Sequence, residues 1–208
     1  MRDFYELAPH VMPWAPTCPE PLMIQYLREA TIEFCRRTRS WRTEEIYKLT
    51  APEQDIQLVT CCDSIVHEIE RVRYREDSAS IWQQPLKPIT FEEADDWQGG
   101  EATPVYFTQR IANTLRVVPF TTGEIKVTMF LKPDQQAQTI PDYIAEQYPQ
   151  VIAAGALAKL LMLPGYDFAE PNQAMMYQAM FDEACDRHFR DNTRGQHRAR
   201  TRTTPRFL

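Results

Sequence analysis

The chain has 208 residues, a formal charge of −6, 43% apolar and 25% charged residues. A chain of this length buries roughly 70% of the surface its unfolded form exposes, so its core needs neither disulfide nor metal. It contains no apolar run near the roughly 20 residues that span a bilayer, and no basic-then-apolar leader follows Met1. The composition therefore excludes a helical membrane protein and predicts one or two domains that stay in the cytoplasm where they are made.

Elements are predicted in chain order from periodicity. Pro13, Pro16, Pro19 and Pro21 forbid a continuous helix and predict a linker or wrapping arm. Met23, Leu27, Ala30 and Phe34 then recur at helical spacing and predict an amphipathic helix over 21–39, with Arg36, Arg37 and Arg39 suited to the negative end of its dipole. Alternation at Ile111, Asn113, Leu115 and Val117, and again at Ile125, Val127, Met129 and Leu131, predicts two antiparallel strands about a turn at Thr121, Thr122 and Gly123. Further strands are predicted at 46–49, 56–59, 65–74, 80–84 and 105–109. Thr90 and Glu93 form a capping-box pattern that predicts a short helix ending before Gly99 and Gly100.

From Tyr143 the period is helical again. Ile144, Tyr148, Val151, Ile152, Gly155, Ala156 and Leu160 predict one helix ended by Pro164 and Gly165. Another is predicted over 171–192, with Ala174, Tyr177, Phe181, Cys185 and His188 on its inner side and Met175, Met176 and Met180 as core filler. The last sixteen residues hold five arginines and no acid, which leaves residues 1–192 at −11. Such a segment cannot collapse on itself and predicts a mobile basic arm on an acidic body.

Together these elements predict an α+β fold: a helical bundle built from both chain ends (1–43 and 133–192), an inserted antiparallel β domain (44–132), and a flexible basic C-terminal arm (193–208).

No pattern in the chain points to catalysis. Phosphate-binding loops, dinucleotide fingerprints, nucleophile elbows and zinc-protease helices are all missing. His10, His67, His188 and His197 have no nucleophile or carboxylate at a motif spacing, and the adjacent pairs Glu92–Glu93 and Asp95–Asp96 point apart on a helix. Cys18, Cys35, Cys61, Cys62 and Cys185 contain no C-x-x-C pair and are odd in number, which predicts reduced thiols. Cys185 and His188 share a helix face but supply two of the four groups a zinc site needs. The expectation is a protein that is not an enzyme, with no cofactor and no metal.

Two stretches carry a family resemblance. One runs from the proline segment through Leu27-Arg28-Glu29-Ala30 and Phe34-Cys35-Arg36-Arg37-Thr38 to Trp41-Arg42. The other runs from Ile140-Pro141-Asp142 through Ala153-Ala154-Gly155-Ala156 to Pro164-Gly165, and on to Pro171. In these the chain resembles the head-to-tail adaptor (connector) proteins of tailed bacteriophages, the group that includes tail tubular protein A. The resemblance implies a structural protein of the virion neck, assembled in the host cytoplasm: a ring of about twelve subunits under the portal protein that continues the DNA channel. It implies that the arm reaches the portal, which assigns portal binding to Arg194, Arg198, Arg200, Arg202, Arg206 and Phe207. It also implies that the β domain meets tail proteins, nozzle or tail tube, and that genomic DNA passes without specific binding and no membrane is involved. The alternative is a nucleic-acid-binding protein whose arginine-rich arm neutralises phosphates; against it stands the acidic body, which repels DNA.

Overall fold

Pro19 closes a run of turns and Pro21 occupies the first turn of the helix that follows, where its missing N–H is no loss. In the computed structural model, which describes residues 1–50, 55–60, 63–77, 81–97 and 100–194, this helix is α1, Glu20–Thr38. Before it come strand β1, Arg2–Asp3, and a 3₁₀ helix, Phe4–His10. After it come β2, Arg42–Leu49, β3, Ile56–Gln57, β4, Ser64–Arg75, and β5, Lys87–Pro88. Helix α2, Phe91–Asp95, leads to β6, Tyr106–Thr108, β7, Thr114–Val118, β8, Gly123–Pro133, and β9, Thr139–Ile140. Helices α3, Asp142–Gln147, α4, Pro149–Leu160, and α5, Pro171–Arg194, complete the chain. The fold is α+β, and it divides into two compact units: Met1–Ser40 with Gln135–Leu208, and Trp41–Asp134.

The first unit is built around α4, which is buried on almost every side from Ile152 to Leu160 and therefore needs covering all round rather than along one stripe. Helix α1 brings Met23, Leu27, Ala30, Phe34 and Cys35, and α5 brings Ala174, Tyr177, Phe181, Ala184 and Cys185. At the crossing a Cβ on Gly155 would lie 2.7 Å from the Phe181 ring and 3.1 Å from the Ala30 Cβ, so the three helices approach this closely only because that position is glycine. Thr31 and Thr38, fully buried on α1, donate to the carbonyls of Leu27 (2.8 Å) and Phe34 (2.7 Å). The exit of α1 is capped by Arg39 in the left-handed region and tied to α5, whose Asn192 Nδ2 donates to the Thr38 carbonyl (2.8 Å) and the Ser40 Oγ (3.0 Å).

Two expectations for this unit need correction. The segment over 13–21 is a run of turns leading into α1, in which Ala15 alone is buried, while the stretch before it is held in place: Phe4, Leu7, Ala8 and Val11 are buried, and β1 pairs with β9 through Arg2 and Ile140. The single helix expected from Tyr143 is two, because Pro149 has no N–H to continue α3 and instead opens α4. Helix α5 runs two residues past its expected end, to Arg194.

The second unit contains two sheets. Strand β8 is the centre of an antiparallel sheet ordered β2-β8-β4, and its Ile125, Val127, Met129 and Leu131 form the buried face. Two bulges, at Val66/Glu68 and Ile69/Arg71, re-aim β4 along its length. Gly123 begins β8 at φ 140°, where a Cβ would lie 2.6 Å from the Arg75 carbonyl. The other sheet, ordered β3-β7-β6-β5, is antiparallel except for β5, which runs parallel to β6. The capping box of Thr90 and Glu93 forms as expected. Ile111 and Asn113 do not extend β7; they form a turn with Asn113 at φ 61°, whose side chain accepts from the Val66 N–H (2.8 Å). Residues 81–84 are not a strand either, residue 80 lying outside the described residues: Gln83 and Leu86 each donate one bond to β4, and Pro85 prevents a ladder.

Gly155→Ala tests the helix crossing. Alanine normally gains about 1 kcal/mol over glycine within a helix, but here the added methyl meets a buried ring, and overpacking of this kind costs about 1–3 kcal/mol. Urea denaturation of Gly155→Ala is expected to give a lower midpoint than the wild type at an unchanged slope.

Candidate functional site

The side chains singled out for chemistry are scattered and occupied by packing. Cys185 is fully buried and His188 is half-buried, its ring edge-on to Tyr148 (4.8 Å between centroids) and Phe34 (6.2 Å). Cys18, Cys35 and Cys185 are free thiols; burial pushes Cys35 far above the ordinary thiol range and Cys185 up to about 12, so both stay protonated and unreactive. Cys61, Cys62 and His197 lie outside the described residues. On α2, Glu93 is taken up by the capping box, and Asp95 pairs with Arg116 and stands 4.0 Å from Arg110. Among the described residues no three His, Cys, Asp or Glu side chains converge as a metal site would require.

Of the arm residues, Arg194 ends α5, while Arg198, Arg200, Arg202, Arg206 and Phe207 lie outside the described residues. The methionines of α5 correct an expectation: Met175, Met176 and Met180 are 61%, 52% and 53% exposed, so they are surface rather than core. Each methionine is next in sequence to a buried residue, Ala174, Tyr177 or Phe181, and one residue along an α-helix is a turn of about 100°, off the inner stripe. Trp14, itself about half exposed, meets Tyr177 edge-on at 5.8 Å.

The most strongly organised surface was not visible in the sequence. Strand pairing places Lys48, Glu124 and Arg75 in one row across the outward face of β2-β8-β4, then Ile46, Lys126 and Arg73, then Glu44, Thr128 and Arg71, then Arg42, Phe130 and Glu68. With Lys132, seven cations share this face with three acids in the ladder rows and with Glu70 of the second bulge, in a unit that holds ten Lys and Arg against sixteen Asp and Glu overall. Arg42 bonds Glu70 (2.7 Å), Lys126 bonds Glu44 (2.7 Å) and Arg75 bonds Glu124 (2.9 Å). Lys126 holds the Glu44 carboxyl below its ordinary pKa. Trp82 lies under two of these cations, with the Arg75 guanidinium 4.5 Å and the Lys126 ammonium 5.3 Å from its ring centroid. Among the described residues Lys48, Arg71, Arg73 and Lys132 form no ion pair, and the Nε of Arg73 is buried without a partner. The signal in the sequence is a charge at every second residue, Arg71-x-Arg73-x-Arg75, in opposite phase to the buried Val72 and Tyr74.

At the edge of this sheet an open groove of about 410 Å³ runs between β4 and the β5-β6 edge, lined by His67, Glu68, Ile69, Pro88, Ile89 and Phe107. Four of the unit's acids stand together at and just after α2. Its Glu92, Glu93, Asp95 and Asp96 are exposed and flanked by the exposed Phe91 and Trp97. Asp95 anchors this helix to Arg116 of β7, on the face opposite to the buried Leu115 and Val117.

A two-unit α+β chain whose ordered chemistry lies in charged surfaces, with the Cys35 and Cys185 thiols buried and protonated, has the features of an assembly component. The chain belongs to the SU10 adaptor protein family, which it matches over residues 2–206, a phage adaptor family with a structural role in the virion. No curated protein matches it. Among the described residues no helix is long and apolar enough to cross a membrane.

His188 makes unit stability pH-dependent. Burial, aided by the neighbouring Arg187, holds its pKa below the ordinary value of about 6.5, with Asp191 acting in the other direction. The unfolded chain binds this proton more tightly, so the stabilisation is complete above about pH 6.5 and is lost as pH falls through the folded value. Asp182, held low by its bond from Arg37, titrates below that window. Thermal melts at pH 7.5 and 5.5 are expected to show a loss in the wild type, at most about 1.4 kcal/mol per pH unit, that His188→Phe removes.

Proposed function

We propose that this chain is a ring-forming subunit of the phage neck, about twelve copies joining the portal protein to the tail and continuing the DNA channel, without catalytic activity. The observation that carries the reading is family membership over almost the whole chain, residues 2–206. The anchors around Phe34-Cys35-Arg36-Arg37-Thr38 and Ala153-Ala154-Gly155-Ala156 support the finer grouping with tail tubular protein A. In this reading the chain beyond α5 docks on the portal, and the β-rich unit, residues 41–134, meets nozzle or tail-tube proteins. Rotational closure of one repeated contact makes a ring rather than a filament. Genomic DNA passes through the ring unbound.

Native mass spectrometry of the chain mixed with its portal tests the reading directly: a closed oligomer of about twelve is expected, and monomer alone, or open fibres, overturns it. Firm binding of plain duplex DNA at physiological salt would favour the nucleic-acid reading instead.

The arm assignment has its own test. Deleting residues 195–208 leaves α5 whole, so the thermal transition is expected to stay unchanged while portal affinity falls at least about a hundredfold, the equivalent of one or two hot-spot side chains. Replacing Arg198, Arg200, Arg202 and Arg206 by lysine is expected to weaken docking at equal charge, because lysine cannot reproduce bidentate bonds to carboxylates. Unchanged docking by the truncated chain would exclude the arm as the portal contact.

A further inference from the structure

We propose that the cationic face of the β2-β8-β4 sheet is the surface on which helix α2 of a second copy docks, so that subunits join head to tail through opposite charges of the β-rich unit. This inference rests on the ring reading above and gives that ring its interface.

The unit pairs some of its charges and leaves others apart. Lys48, Arg71 and Arg73, on the outward face of one sheet, have no ion-pair partner among the described residues, and four exposed acids, Glu92, Glu93, Asp95 and Asp96, stand together at a helix carried by the other sheet. Glu92 and Asp96 likewise pair with nothing among the described residues. A surface that could neutralise itself within one chain does so, as Glu124 with Arg75 demonstrates. Charges left apart on different sheets are available to a neighbour.

Spacing fits as well as sign. Glu92 and Asp96 are four residues apart, which places their side chains about 6 Å from each other on one side of the helix. Arg71 and Arg73 are two apart on one strand and one face, about 7 Å. Each surface also carries the apolar contact that a protein interface buries at its centre: Ile46, 53% exposed, lies amid the cations, and Phe91 and Trp97 flank the acids. A carboxylate reaching the terminal nitrogens of Arg73 would pair a charge that has no ion-pair partner among the described residues. Nucleic acid fits this face less well, since Glu44, Glu68 and Glu124 within it repel phosphate. Because the two surfaces differ, the contact is heterologous: identical faces would set like charges together, whereas cation face to acidic helix repeats from copy to copy and closes.

Charge reversal tests the pairing. One variant carries Lys48→Glu with Arg71→Glu, the other Glu92→Lys with Asp96→Lys; all four side chains are exposed and outside ion pairs, so both variants are expected to melt as the wild type does. Each alone is expected to lose at least about tenfold in self-association by sedimentation, with and without portal. An equimolar mixture is expected to recover closed rings of alternating subunits, since each variant supplies the complement of the other. Independently, wild-type self-association is expected to weaken as salt rises, a readout that holds even if a variant fails to fold. Wild-type rings with both variants assembling normally, or rings indifferent to salt, overturn this interface and leave the ring standing. Wild-type chain that never oligomerises overturns both. Retention of duplex DNA that the Lys48→Glu, Arg71→Glu variant loses, with assembly intact, reassigns the face to nucleic acid.

Discussion

Helix α4 has no polar side, and that single fact organises the chain. A helix apolar all round must be enclosed, and the two helices that enclose it lie at opposite ends of the sequence, α1 before the strands and α5 at the end of the described chain. The whole of residues 41–134 is therefore an insertion whose two ends must return to one bundle. Gly155 sets how tightly that bundle closes, because the distance between α4 and α5 is fixed by the absence of a Cβ against Phe181. Arg28 then secures the return, donating to the carbonyls of Ala137 (2.7 Å) and Gln135 (3.0 Å) where the chain re-enters.

In the β-rich unit the constraint is different. A sheet with one face buried at Ile125, Val127, Met129 and Leu131 leaves the other to be specified by whatever the surface must do, and here that outer face is rich in charge around the buried Thr128 and Phe130. Ionic groups contribute little to stability at such exposure. A face that retains four unpaired cations among the described residues is better understood through what it meets than through what it holds together. The same contrast separates the units: in the bundle, Arg37 is engaged by Asp182 and Asp186 and stitches α1 to α5, whereas Arg71 and Arg73 are engaged by nothing in their own chain among the described residues.

How much of this was legible depends on whether the signal was local. The stripes of α1 and α5, the alternation of β8 and the capping box at Thr90 are periodic or contiguous in the sequence, and the structure contains all of them. The α+β class followed from those elements. What stayed hidden depended on pairing between distant segments. The buried start, Phe4 to Ala15, has too little periodicity to announce that it packs against α1 and α4. The exposed methionines share the composition of a core residue and differ from one only by their angle around α5. The cationic face needs the register of β4 against β8, carried through two bulges, before Arg73 and Lys126 become neighbours. The expected portal-binding arginines are mostly outside the described residues, so the sequence remains their only argument.

Asn192 connects two parts of the chain that its position in sequence would keep separate. With one amide it holds both the last carbonyl of α1 and the hydroxyl of Ser40, the residue at which the chain leaves the bundle. The amide lies in the last turn of α5, so the end of that helix is fastened to the exit of α1 by hydrogen bonds, beyond the reach of the Gly155 crossing, and the bundle is latched at its rim as well as packed at its centre.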